Sequence, residues 1–286
     1  MQLQELAHWW LTQPDLVARF GNAIDSAIQY VLDGGRSGRF TLKDKRVDPD
    51  ERRSVGTKLQ FHIIEEFNLP RLKSPDTKVG DITLDIKGTV GENWTIPVEG
   101  QCEICLLVRI DTHNRKHQTW LMRTHRKWLH NGDGNGDQKR GIAKDPRTRF
   151  ALPLYLEASL PPAPLTLLNE EQLKLVFSRE GQTKRLVHLF SMLQGTVVNR
   201  ATILTVCAGR DDPIRRAREA REPLKNMDLA LLCGAWTAQR TMARELGQDL
   251  SGNAWVAVPW HNIIGRGSLT DEVLASMNKK DVDTPF

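Results

Sequence analysis

The sequence predicts an α/β fold: a mixed sheet flanked by helices, followed by a smaller, mainly helical domain containing a helix-turn-helix. Three observations predict it. Residues 3–32 carry apolar side chains near the 3.6-residue period of a helix. Residues 82–87 alternate apolar and polar, as a half-buried strand does. Pro161, Pro162 and Pro164 then stiffen the chain between two halves of different character. The expected domains are residues 1–158 and 166–286, joined by a linker at 159–165.

In order along the chain, Leu16, Phe20, Ala23, Ile24, Ala27, Ile28 and Val31 form the first apolar stripe. Pro14 suits the first turn of that helix, and Asp33-Gly34-Gly35 stops it. Arg36 and Arg39 follow on a loop where Gly38 permits close approach of the backbone, suiting phosphate or base-edge contact or else a solvated turn. Residues 43–53 mix both signs of charge and read as a solvated loop. Val55-Gly56-Thr57 opens an amphipathic helix over 58–67. Strands are expected around Asp85, over 104–110 and over 119–123, with a turn at 91–93. A helix followed by strands bearing an acid and a lysine is the order of an α/β/α core.

In the second half, Asn169 is placed to cap a helix over 170–177, and a further helix spans 182–193. Residues 196–207 suit helix or strand. Asp211-Asp212-Pro213 starts a basic helix carrying Arg215, Arg216 and Arg218, which after two preceding helices is compatible with a helix-turn-helix reader. Residues 227–233 and 254–258 read as two strands of a small sheet, and the tail after Gly267 as loosely ordered.

Composition narrows the class. A net charge of +5 leans toward an anionic partner. No run approaches the roughly 18 apolar residues of a membrane span, and the N-terminus lacks a basic-then-apolar leader, so a cytoplasmic protein without a membrane is expected. There is neither a P-loop nor a Gly-x-Ser-x-Gly elbow, which removes the common nucleotide-binding and acyl-hydrolase classes. Cys102-x-x-Cys105 is half a zinc motif, but Cys207 and Cys233 form no second close pair, and Cys105 opens an apolar run that suits ordinary packing. Residues 131–137 alternate Asn or Asp with Gly like a calcium loop but lack its closing Glu, so they read as a surface loop. Arg123, His125, Arg126 and Lys127 surround Trp128, a pattern suited to nucleic acid or to an exposed helix end beside a packed Trp.

The stretch with the most chemistry is 74–88. Asp85 and Lys87 share one face of the strand, about 7 Å apart, and a turn at Gly80-Asp81 would return Asp76 beside Asp85. Two carboxylates and an ammonium suit metal-assisted phosphodiester hydrolysis: the acids hold Mg²⁺ and the lysine orients or helps deprotonate water. The pattern resembles the PD-(D/E)xK nuclease motif. A second Asp-x-Lys, Asp137-Gln138-Lys139, sits in a polar loop and shows how common the short motif is.

Several stretches extend the likeness: 33–40, Gly56-Thr57, Gly100-Gln101-Cys102-Glu103, Gly181-Gln182-Thr183-Lys184-Arg185, 199–206 and Arg210-Asp211-Asp212. In this order they resemble the NaeI family of type II (type IIE) restriction endonucleases over about residues 25–258. The resemblance implies a restriction-endonuclease-like core and a C-terminal winged-helix, CAP-like DNA-binding domain. It also implies a homodimer acting on double-stranded DNA, with one duplex cleaved and another serving as effector. Asp76, Asp85 and Lys87 fall on the family's catalytic positions. Asp76, Asp85 and Ile86 are the expected ligands of Mg²⁺, with Mn²⁺ as a substitute. The expected DNA contacts are Arg36, Arg39, Gln182, Lys184, Arg185, Arg200, Arg215, Arg216 and Arg218. Where the family carries a glutamate on the Gly-Thr helix, Gln60 stands, still able to hydrogen-bond a metal-bound water but uncharged. Two alternatives follow: a DNA-binding protein with a weak or inactive nuclease site, and a nicking or repair nuclease.

Overall fold

In the computed structural model, residues 2–130, 138–208 and 212–278 are described. By its contacts the chain divides into two compact units, Met1–Leu32 with Leu42–Pro162, and Asp33–Thr41 with Ala163–Phe286. The segment 33–41 groups with the second unit because Phe40 stacks on Phe177, ring centroids 5.9 Å apart.

The first unit opens with α1 (Gln2–Leu11) and α2 (Leu16–Leu32). The single helix expected over 3–32 is broken at 12–15, where Asp15 adopts a left-handed backbone, and Pro14 lies in the turn ahead of α2 rather than inside it. A short turn of helix, α3 (Gly34–Ser37), belongs to the second unit. The next helix, α4 (Pro49–Glu66), begins well before Gly56. Asp48 caps it: its side chain accepts the N–H groups of Asp50 and Glu51, Glu51 reaches back to the N–H of Asp48, and Pro49 sits at the first helical position. Much of the charged stretch read as a loop is therefore the first turn of a helix.

Seven strands follow: β1 (Thr77–Val79), β2 (Ile82–Thr89), β3 (Thr95–Ile96), β4 (Ile104–Asp111), β5 (Lys116–Arg123), β6 (Arg140–Gly141) and β7 (Leu152–Ser159), with α5 (Lys144–Phe150) between the last two. Five of them form one sheet in the order β1-β2-β4-β5-β7, mixed because β2 and β4 run parallel and the other neighbours antiparallel. β7 has no counterpart in the sequence reading: its leucines alternate, but Pro153, which cannot donate to a ladder, argues against a strand.

The pleat sorts the sheet's side chains onto two faces. Leu84, Ile86, Leu106, Val108, Ile110 and Leu121 pack against α1, α2 and α4 in one core, where Trp10 meets Phe20 and Phe67. Each fully buried side chain of this size contributes about 1.5–3 kcal/mol. The opposite face carries Asp85, Cys105, Leu107 and Met122, and a smaller core of Trp94, Ile96, Leu129 and Ile142 covers part of it. The two-stranded ribbon β3–β6 supplies that cover, pairing Thr95 with Gly141 and Ile96 with Arg140.

The second unit contains α6 (Glu170–Val176), α7 (Gln182–Met192), α8 (Arg200–Cys207), α9 (Pro213–Glu219), α10 (Arg221–Lys225), α11 (Thr237–Glu245) and α12 (Ser268–Asn278), with β8 (Leu229–Cys233) paired antiparallel to β9 (Trp255–Pro259). Residues 200–207 resolve as helix because Asn199 caps them, accepting the N–H of Thr202. The tail, expected to be loose, forms α12 through Asn278, with Val273 buried among Ala230, Met242 and Val256. The calcium-like loop at 131–137 and residues Arg210 and Asp211 lie outside the described residues. Among the described residues no helix is long and apolar enough to cross a membrane.

Candidate active site

Strand pairing assembles the acids. β1 and β2 join through a tight turn at Gly80, whose φ is +58°, and Thr77 pairs with Leu84. Asp76, one residue ahead of β1, is thereby delivered beside the Asp85–Ile86 peptide. Its Oδ2 accepts the Ile86 N–H at 2.8 Å. In a strand the N–H and C=O of one residue point to the same side, so the Ile86 carbonyl faces the edge where Asp76 lies, beyond the end of β1. The Ile86 side chain is buried in the helix-covered core, and the residue also borders a cleft.

Asp85 and Lys87 share the other face. Lys87 Nζ donates to Asp85 Oδ1 at 3.1 Å and lies 2.9 Å from Oδ2. Asp85 is buried, and burial pushes its carboxyl up to about 6; Lys87 opposes that rise and the neighbouring Asp76 carboxyl adds to it. Burial alone would lower the Lys87 ammonium, but Asp85 outweighs it and holds the group above its ordinary value. That direction favours the protonated ammonium, a hydrogen-bond donor and a positive charge, at neutral pH. Behind Asp85 the packing is tight. A Cβ at Gly100 would fall 2.7 Å from Asp85 Oδ2, and Cys105, its register partner, places Sγ 3.8 Å from the same oxygen. Thr124 fixes this wall, donating to the Gly100 carbonyl at 2.6 Å.

α4 reaches the site through a glycine crossing. A Cβ on Gly56 would lie 2.9 Å from the Gly88 carbonyl carbon, and one on Gly88 would lie 2.8 Å from the Gly56 oxygen. Helix and strand thus touch backbone to backbone, which sets Gln60 beside Lys87 in a cleft of about 570 Å³. Arg53 and Thr57 share that wall of α4, while Asn93 and Lys139 come from elsewhere. The sequence reading left out Arg53 and Lys139. The capping signal Asp48-Pro49-Asp50-Glu51 would have put residues 53, 57 and 60 on one helical face; no local signal places Lys139, which the β3–β6 pairing delivers.

Among the described residues no three His, Cys, Asp or Glu side chains converge as a metal cluster, and Cys105 is a buried packing residue. The donors available to a cation are the carboxylates of Asp76 and Asp85 and the Ile86 carbonyl. Two neighbouring carboxyl groups together with a main-chain oxygen fit a small hard cation that keeps several waters, provided Asp85 gives up its proton on binding.

The DNA contacts expected in the second unit separate into exposed and buried sets. Arg36 is exposed and 3.5 Å from Asp33. Lys184 pairs with Glu180 at 3.5 Å, and Arg215 and Arg216 both pair with Glu219, at 3.1 and 2.7 Å. Arg200 is exposed, and Arg39 and Arg218 are half-buried. Gln182 and Arg185 are buried instead: Gln182 Nε2 donates to the Cys207 carbonyl at 3.3 Å and Arg185 Nη1 to the Val206 carbonyl at 3.2 Å. Both close the C-terminal end of α8, whose last carbonyls lack helical partners. In this conformation both side chains are turned toward α8 and away from solvent.

The family model described as Restriction endonuclease NaeI matches residues 11–257. No curated protein matches the chain.

Proposed function

The chain belongs to the NaeI restriction endonuclease family, and from that premise we propose that it is a Mg²⁺-dependent, sequence-specific endonuclease of double-stranded DNA. The observation that carries the proposal is the convergence of Asp76, Asp85 and Lys87, with Asp76 tied to the Ile86 N–H. Asp76, Asp85 and the Ile86 carbonyl would hold the ion. When bound, Mg²⁺ supplies Lewis-acid polarisation of the phosphate and acidification of water. Lys87, held protonated, offers a hydrogen bond and a positive charge to the attacking water or the phosphate. Gln60 lines the same cleft and can accept a hydrogen bond from a water there. In-line attack by water would leave a 5′-phosphate. The homodimer, the helix-turn-helix role of the second unit and activation by an effector duplex complete the proposal by analogy with the family.

One observation favours a second reading. Gln60 stands where a third carboxylate would add charge to the site, and among the described residues no other acid joins Asp76 and Asp85. On that reading the protein binds DNA and cuts it weakly or not at all. Incubation with supercoiled plasmid and Mg²⁺ separates the possibilities. Discrete linear fragments support the endonuclease, nicked circles without linear product a nicking or repair enzyme, and unchanged plasmid that is still bound the inactive form.

A further inference from the structure

Beside the catalytic cleft, across the β3–β6 ribbon, lies a second cleft of about 370 Å³ lined by Val98, Gln101, Arg126, Gln138 and Arg140. Four of these five residues end in planar groups with paired hydrogen-bonding atoms. Among the described residues neither guanidinium has an ion-pair or hydrogen-bond partner, and neither glutamine amide is bonded. This sets them apart from Arg36, Lys184, Arg215 and Arg216, each paired with a carboxylate. Arg126 and Gln138 are exposed and Gln101 and Arg140 half-buried, so the donors and acceptors of all four are open to an external partner.

The ribbon gives the cleft its position. Lys139 lines the catalytic cleft, while its neighbours Gln138 and Arg140 line the other. A duplex whose scissile phosphate lies at Lys87 would have this cleft on the other side of the Gln138–Arg140 segment. Arg forks suit phosphate as well as base edges, whereas the uncharged glutamine amide adds no charge to hold a phosphate and matches a base edge in pairs. A set made only of Arg and Gln forks is what base edges require: Arg bonds guanine O6 and N7 in pairs, and Gln does the same with adenine N6 and N7. We infer that Gln101, Arg126, Gln138 and Arg140 read purine base edges next to the cut, the specificity-determining part of the site. The inference rests on the endonuclease reading and adds the identity of the reader.

The test uses the full-length protein without divalent cation, a pool of random-sequence duplexes for selection, and the enriched duplex against unselected duplex for affinity. Arg126→Lys and Arg140→Lys keep the charge but lose the fork. Each is expected to cut the preference for the enriched duplex by roughly fivefold to a hundredfold while leaving the slope of affinity against salt unchanged. Lys139→Ala, on the catalytic side, is the contrast: it should weaken both duplexes equally and reduce the salt slope by about one unit. Retained preference in both Arg→Lys variants, or a loss confined to the salt slope, would overturn the inference and leave the nuclease reading standing. A wild-type protein that binds no duplex would bring down the nuclease reading and the inference with it.

Discussion

The Asp76 carboxylate accepts the backbone N–H of Ile86 at 2.8 Å, so the first acid of the site is fastened to the strand that carries the second acid and the lysine. The Asp76 carboxylate keeps further acceptor capacity beyond that bond, and it also neighbours the Asp85 carboxyl. The bond also fixes the edge on which the Ile86 carbonyl is presented. Positioning of this kind depends on β1 pairing with β2 in one register, because a slip of one residue would turn Asp85 and Lys87 into the helix-covered core.

Asp76→Asn and Asp85→Asn are each expected to reduce Mg²⁺-dependent plasmid cleavage by about a hundredfold or more, since either removes charge that holds the ion. Binding of duplex by the same variants should persist. Gel analysis of plasmid products beside a binding titration checks both, and cleavage undiminished in Asp85→Asn would remove Asp85 from the site.

Asp85 also sets a pH dependence. Its carboxyl titrates near 6 in the folded protein against 3.8 ordinarily, a value already net of the attraction to Lys87. The folded state binds this proton more tightly than the unfolded chain, so its contribution to stability is full below about pH 4 and is lost as the pH rises through about 6. At neutral pH the ionised form costs stability. Asp85→Asn should therefore raise the metal-free melting temperature at about pH 7 by a few degrees and change it little at about pH 4. Mg²⁺ should stabilise the wild type and leave the variant unmoved; a variant that melts lower than wild type at neutral pH would contradict the assignment.

The strand bearing Asp85 and Lys87 and about half of the helices were legible because their signals are local, whereas α5, α10, α11 and α12 were not read. Alternation marks β2, Asn169 marks the cap of α6, and the apolar stripe marks α2. What sequence could not supply is pairing. Arg53 and Lys139 line one cleft through packing between distant segments, and Gln182 and Arg185 are buried by the end of a helix that lies beyond their own. A basic residue in a family-like motif looks the same whether it faces DNA or caps a helix, since only its neighbours in space decide.

Gln60→Glu tests the uncharged position. The added carboxylate would share the cleft with Lys87 and strengthen the hold on a divalent ion by charge. The Mg²⁺ concentration giving half-maximal cleavage should fall by roughly tenfold, with duplex affinity in the absence of metal slightly reduced by repulsion of phosphate. A Mg²⁺ titration of cleavage rate reads this directly, and an unchanged midpoint would mean that residue 60 does not feel the ion.

The glycine crossing carries the sharpest structural prediction. In an open helix, replacing Gly by Ala stabilises by about 0.5–1 kcal/mol because less backbone entropy is lost on folding. At Gly56 the new methyl would press on the Gly88 carbonyl, and backbone on both sides cannot swing away as a flexible side chain could. Overpacking of this sort costs about 1–3 kcal/mol, so the clash exceeds the propensity gain and Gly56→Ala should lower stability in urea unfolding. The strain would also push α4 off β2 and carry Gln60 and Arg53 away from Lys87, so cleavage should fall further than the loss of folded protein accounts for. A stabilised Gly56→Ala protein with normal activity would show that α4 and β2 are not in backbone contact there.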